Sequence, residues 1–143
     1  MDHRALYDTD LERLRRRAPE LAGALDPFVP DFTGTYTVVV GREGLKVNGP
    51  WYAGLDAEER VTCLASVGFR MTSPLLRPCG DRNPFVWNLA CSAITNANLA
   101  HEGFRLPRGA LLEPTCRDLD SDAAYERIKD VPGLSGPPTG MAN

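Results

Sequence analysis

The chain has 143 residues, of which 43% are hydrophobic and 24% are charged, and its formal net charge is −3 at pH 7. These values are typical of a globular domain and exclude a disordered chain, and the acidic balance argues against nucleic-acid binding. No apolar run approaches the roughly 20 residues that span a bilayer, and no apolar signal region follows the N-terminus. We therefore expect a cytoplasmic domain over residues 1–131 and a flexible tail, rich in Pro and Gly, over residues 132–143.

The first predicted helix begins at Thr9, because Thr9 and Glu12 have the spacing of a capping box. Apolar residues then recur at helical intervals as far as Leu25. Pro19 has no backbone N–H to donate, so it predicts either a kinked helix or two short ones. Asp26 and the prolines that follow it end this helical stretch.

Residues 35–47 change to the alternation of a β-hairpin, with residues 41–44 as the turn. This pattern places Tyr36 on the same strand face as Val38 and Val40. Trp51 follows the hairpin directly. An isolated two-stranded hairpin is marginal in water, so we expect it to pack on helices.

A second helix is predicted from Asp56, which has capping-box spacing to Glu59, to about Thr72. Gly68 shares the buried face of this helix and would let another element approach closely. The other residues that the pattern buries on this face are Val61, Leu64, Ala65 and Met71.

The most informative predicted element is a helix over Pro84–His101, with Asn83 as its N-cap and Gly103 as its C-cap. One face is apolar and should lie in the core. It consists of Val86, Leu89, Ala90, Ala93, Ile94, Ala97 and Ala100.

The opposite face of this helix is polar but almost uncharged, although solvated helix faces usually carry Lys, Glu or Arg. Either it is buried under the hairpin or a loop with its groups hydrogen-bonded locally, or it lines a ligand pocket or contacts another subunit. Its residues are Asn88, Cys91, Ser92, Thr95, Asn98 and Glu102, with Trp87 at the edge.

After this helix, residues 104–112 are interrupted by Pro and Gly and predict an irregular edge strand or a loop. A short helix over Ser121–Asp130 follows, capped by acidic residues. The order of elements predicts an α+β fold, a helix-rich single domain in which a central antiparallel hairpin packs on three to four helices.

Catalytic chemistry has few candidates in the sequence. Cys79, on a loop just before a helix N-terminus, is the best nucleophile candidate, because such a position lowers a thiol pKa. A base is also needed, but His101 lies about 26 Å from Cys79 and about 15 Å from Cys91 along the same helix. Direct pairing is thereby excluded, and His101 with Glu102 remains a candidate for general acid–base work.

No metal or cofactor is predicted. Asp118, Asp120 and Asp122 alternate as at the start of a calcium loop, but Ala123 and Lys129 stand where Gly and Glu are required. There is no phosphate-binding loop. The cysteines form no Cys-x-x-Cys pair and are expected to be free thiols: Cys63, Cys79, Cys91 and Cys116.

The sequence favours a small accessory or binding protein that acts through the helix over residues 84–102, as a homo-oligomer or with a protein partner. The alternative is a small cofactor-independent enzyme of lyase, isomerase or cyclase type, with a small-molecule pocket lined by the polar face. A third hypothesis is a thiol-based redox or metal-binding protein using Cys79 and Cys116. The predicted binding residues are Tyr36, Trp51, Trp87, Asn88, Cys91, Thr95 and Asn98.

Overall fold

A computed structural model describes residues 2–131 of the chain. Within this range, helices and one antiparallel hairpin form an α+β domain, which confirms the predicted fold class. The predicted tail over residues 132–143 lies outside the described residues. The elements are α1 (His3–Arg17), α2 (Pro19–Gly23), β1 (Thr33–Gly41), β2 (Gly44–Asn48), α3 (Gly49–Ala53), α4 (Ala57–Thr72), α5 (Pro84–His101) and α6 (Ser121–Ile128).

Helix α1 begins at His3, so the capping box predicted at Thr9 is wrong. The N-cap is Asp2, whose side chain accepts a hydrogen bond from the backbone N–H of Ala5 at 3.1 Å. Pro19 divides the helical stretch in two, since Ala18 leaves the helical conformation between α1 and α2. The second of the two expected forms, a pair of shorter helices, is therefore the one observed.

In the hairpin, Val38 and Val40 of β1 pair with Val47 and Leu45 of β2 and pack against the core. The register is interrupted between Thr33, which pairs with Asn48, and Val38. This bulge turns Tyr36 outward, where it is 66% exposed. The prediction that Tyr36 shares the inner face of the strand is therefore wrong.

The short helix α3 was not predicted. Its N-cap is Asn48, which accepts a hydrogen bond from the backbone N–H of Trp51 at 3.2 Å. Because of this helix, Tyr52 turns into the core and is fully buried. The residues that end the hairpin thus also start the next helix.

Helix α4 has the predicted capping box of Asp56 with Glu59. Gly68 faces α2, with the backbone of Leu21 against it, as the expected close approach requires. Met71 is 43% exposed, so the prediction that it is buried is wrong. Met71 shares the helix face of the buried Leu64, but it lies in the last turn of α4, which ends at Thr72.

Helix α5 has the predicted bounds, and Asn83 caps it by accepting hydrogen bonds from two backbone N–H groups. At its other end Gly103 adopts a φ of 87°, and the N–H of Phe104 donates to the carbonyl of Leu99 at 3.0 Å. This arrangement is a Schellman motif. Helix α5 lies between two core clusters: α6 packs along one side, and Leu99 and Phe104 join the cluster of α1, α2, α4 and the hairpin.

The chain after α5 contains no strand over residues 104–112, so this segment is the loop of the two forms expected. Asp120 caps α6 by accepting a hydrogen bond from the N–H of Ala123 at 2.8 Å. The prediction that these aspartates cap the last helix is confirmed for Asp120.

Candidate functional site

The middle of the polar face of α5 lies inside the protein, where Cys91, Ser92 and Thr95 are buried. Two of its polar groups, those of Thr95 and Asn98, form hydrogen bonds along the helix itself. The hydroxyl of Thr95 donates to the carbonyl of Cys91 at 2.7 Å, and the amide of Asn98 donates to the carbonyl of Ile94 at 2.8 Å. Burial with local hydrogen bonds, the first of the two alternatives, therefore accounts for the middle of this face.

Toward the start of α5 the polar face reaches solvent at Asn88 and meets Arg70 of α4, which the sequence did not single out. The guanidinium of Arg70 donates to Oδ1 of Asn88 at 3.2 Å and to Oγ of Ser92. Burial raises the pKa of the adjacent Cys91 thiol and lowers that of Arg70. Arg70, Asn88, Cys91 and Ser92 are called the Arg70 cluster below.

Toward the end of α5, Asn98 and Glu102 line a groove of about 360 Å³. Arg17 lies 3.8 Å above the Phe104 ring and donates a hydrogen bond to the carbonyl of Glu102 at 3.2 Å. His101 does not line this groove. The structure therefore brings Asn98 and Glu102 together but leaves the histidine elsewhere.

His101 is exposed at the end of α5. The guanidinium of Arg117 lies against its imidazole ring, with one nitrogen 2.6 Å from Nδ1. A general base needs a ring nitrogen that faces a substrate, whereas here a permanent cation lies against the imidazole ring. This arrangement gives the catalytic hypothesis for His101 no geometric support.

Of the predicted aromatic residues, Trp87 is buried, and its indole N–H donates to the carbonyl of Arg77 at 3.1 Å. Its ring contacts Tyr125 at 5.7 Å between centroids. Trp51 is half-buried and lines a cavity of about 30 Å³ beside the hairpin. The structure does not bring Trp51 and Trp87 together around one pocket.

Cys79 is half-buried on the loop before α5, and its thiol donates to the carbonyl of Arg82 at 3.3 Å. The other three cysteines are buried, and all four are unpaired, as expected. Burial raises the pKa of the Cys63 thiol to about 12 and also raises the pKa of Cys116. Cys79 is the most accessible of the four thiols, because the other three are buried.

We expect one fast-reacting thiol in the native protein at about pH 8, because the thiolate is the reactive form and burial suppresses it elsewhere. A native titration with a chromogenic disulfide should therefore show one fast equivalent, and the Cys79→Ser variant should show none. Full reaction should follow only after unfolding. A fast equivalent that persists in Cys79→Ser would contradict this assignment.

The outer side of the hairpin forms the largest of the grooves described here, about 520 Å³. Two exposed apolar side chains, Tyr36 and Val39, contribute to it, and charged residues stand only at the turn end and on β2. Tyr36 is thus on this surface and not near α5. The lining consists of Thr33, Gly34, Thr35, Tyr36, Thr37, Val39, Gly41, Arg42, Glu43, Gly44 and Lys46.

A buried polar cluster joins α1, α3 and α4, and sequence reasoning missed it. Oδ2 of Asp10 accepts hydrogen bonds from the hydroxyl of Tyr52 at 2.5 Å and from Nε of Arg60 at 2.9 Å. Burial, followed by the hydrogen bond to Asp10, raises the pKa of Tyr52. Because the aspartate and the arginine are 50 positions apart, no local pattern could have indicated this pair.

No protein family model matches the sequence, and no curated protein and no solved structure is significantly similar to it. In residues 2–131, no helix combines the length and apolar character that crossing a membrane requires. The same residues contain no group of three or more His, Cys, Asp or Glu side chains placed to hold a metal ion.

Proposed function

We propose that this chain is a non-catalytic binding protein that works as a homodimer, with the outer side of its β-hairpin as the contact surface. The observation that carries the proposal is the concave, mostly uncharged groove that exposes Tyr36 and Val39. We place the contact here rather than at the middle of α5 because Cys91 and Thr95 are buried within the domain.

The backbone of β1 supports the same surface. The carbonyl of Leu45 and the N–H of Val47 bond to Asp31 on the far side of β2, at 2.9 and 2.7 Å. In an antiparallel pair of strands, two residues that face each other either exchange backbone hydrogen bonds or both point their N–H and carbonyl groups away from the partner strand. Val38 and Val40, opposite these two, therefore direct theirs away from β2, and within residues 2–131 no hydrogen bond joins those groups to another element.

The charges at the two ends of β1 favour a second copy as the occupant. Residues 32–41 carry no charge, so two identical strands do not repel each other along their length. Asp31 precedes this stretch and Arg42 follows it, and Arg42 has no ion pair within the described part of the chain. An antiparallel second copy would bring Arg42 of each chain near Asp31 of the other.

Light scattering coupled to size exclusion tests this proposal. The wild-type protein should elute at twice its chain mass of 15.6 kDa, and Val39→Lys should weaken dimerisation at least about tenfold, or 1.4 kcal/mol. Val29→Lys is the matched control, because Val29 is an exposed valine outside the hairpin. A wild-type monomer at every concentration, or equal dimerisation of the two variants, would rule out the hairpin as the contact.

A further inference from the structure

We infer that the Arg70 cluster is a binding site for a small-molecule oxyanion, a phosphate or a carboxylate, whose negative charge the described chain does not supply. This site is separate from the hairpin surface, and the inference does not depend on dimerisation. It rests on the hydrogen-bond partners, the burial and the charge balance of Arg70.

Both hydrogen-bond acceptors of Arg70 are neutral. Its guanidinium donates to the side-chain oxygens of Asn88 and Ser92, and within residues 2–131 no carboxylate lies within 4.0 Å of it. Arginine stays protonated in proteins, so Arg70 carries a full positive charge. The cluster therefore has a net charge of its own.

The other half-buried arginines of this fold differ from Arg70 in their ion pairs. Four arginines among the described residues are neither exposed nor fully buried, and carboxylates pair with all of them except Arg70. Arg15 pairs with an aspartate at 3.0 Å, Arg60 at 2.9 Å and Arg82 at 2.5 Å. Arginines without a carboxylate elsewhere in this range are exposed, and water compensates their charge.

Partial desolvation without a counter-charge costs free energy, because neutral acceptors replace only part of the lost hydration. The last turn of α4, where Arg70 lies, offsets some of this cost through the negative end of the helix dipole. A bound anion would supply the remaining charge. A functional ligand is thus a direct explanation for an otherwise unfavourable arrangement.

The geometry of the cluster defines the ligand class. A guanidinium presents parallel N–H groups that match the two oxygens of a carboxylate or a phosphate. The Asn88 amide can also donate to an anion, and this residue is exposed, so the site is reached from solvent at this point. The other two members of the cluster, Cys91 and Ser92, are buried.

Nuclear magnetic resonance with two simple probes tests the inference. Inorganic phosphate and succinate, each compared with chloride at equal ionic strength, should shift the signals of the Asn88 side-chain amide and neighbouring backbone amides. The shifts should disappear in Arg70→Gln and persist in Arg127→Gln, an exposed arginine outside the cluster. The probe that binds more tightly shows whether the site prefers a phosphate or a carboxylate. Shifts that remain in Arg70→Gln, or that spread over exposed arginines, would mean non-specific ion binding and overturn the inference.

An Asn88→Asp substitution tests the charge balance without removing Arg70. It places a carboxylate where an oxygen now accepts from Arg70 at 3.2 Å, so the protein should supply its own anion. We expect its thermal midpoint to rise by about 2–5 °C and its response to both probes to vanish. The same substitution in the Arg70→Gln background controls for the helix dipole, and there the gain should be lost. A variant that gains no stability and still binds phosphate would contradict the inference.

Discussion

Arg60→Met is expected to lower the free energy of unfolding by about 3–5 kcal/mol, because it removes the closest and only partly buried cation of a buried carboxylate. The Asp10 side chain is 1% exposed and that of Arg60 is 15% exposed. After the substitution, Asp10 would keep the hydrogen bond from Tyr52 and a longer ion pair of 3.8 Å with the exposed Arg13, through an Oδ1 that lacks a hydrogen-bond partner. Arg60 also donates to the carbonyl of Leu55 at 2.7 Å, a bond that methionine cannot make.

Urea denaturation followed by circular dichroism measures this effect. Arg105→Met is the matched control, since Arg105 pairs with Asp56 at 2.8 Å but is 60% exposed, and it should change stability by less than about 1 kcal/mol. The double variant Asp10→Leu with Arg60→Met should cost much less than the two single changes added together, because no unpaired buried charge remains and Arg13 is exposed to water. Equal losses in Arg60→Met and Arg105→Met would show that the buried pair contributes no more than a surface pair.

The helices that the sequence predicted best are those whose ends are set by adjacent residues. Asp56, Asn83 and Asp120 each accept a hydrogen bond from a backbone N–H two or three positions ahead, so a short pattern contains the whole signal. Helix α1 has an equally local cap in Asp2, but its first turns lack the apolar periodicity on which the prediction relied. The interpretation therefore favoured Thr9, which lies inside the helix.

The errors in the hairpin have a non-local cause. Tyr36 leaves the inner face because β1 is bulged, and β2 is shared between β1 and the backbone of Asp31. Alternation along a single strand predicts which residues share a face only while pairing stays regular. Asp31 lies before β1 and bonds to the side of β2 that faces away from β1. The alternation of residues within β1 gives no sign of this contact.

For the candidate site, the sequence predicted the positions on α5 but not their surroundings. The uncharged composition of the face is unusual for a solvated helix, and burial of its middle is consistent with that composition. Arg70 is 18 positions from Asn88, and their contact depends on how α4 packs against α5. Helix periodicity predicts neither this packing nor the pairing of Asp10 with Arg60. These two features determine which buried charges have a partner of opposite charge.

Gly68→Ala is expected to lower the free energy of unfolding by about 3 kcal/mol, at the upper end of the usual range for overpacking. A Cβ atom at this position would collide with the Leu21 carbonyl oxygen and lie 3.0 Å from two further backbone atoms of Leu21. Backbone atoms cannot rotate out of the way as a side chain can, so α2 would have to move away from α4. This cost exceeds the gain of about 1 kcal/mol that alanine normally brings to a helix.

Gly23→Ala separates the steric effect from helix propensity. Gly23 is also helical, but a Cβ there meets nothing within 4 Å, so the change should be neutral or stabilise the protein by up to about 1 kcal/mol. Thermal and urea unfolding of both variants give the comparison, and hydrogen exchange should show faster opening of α2 amides in Gly68→Ala alone. If both substitutions stabilise the protein equally, α2 does not approach α4 closely enough to require glycine. A loss confined to Gly68→Ala would instead establish that the Leu21 backbone fixes the distance between these two helices.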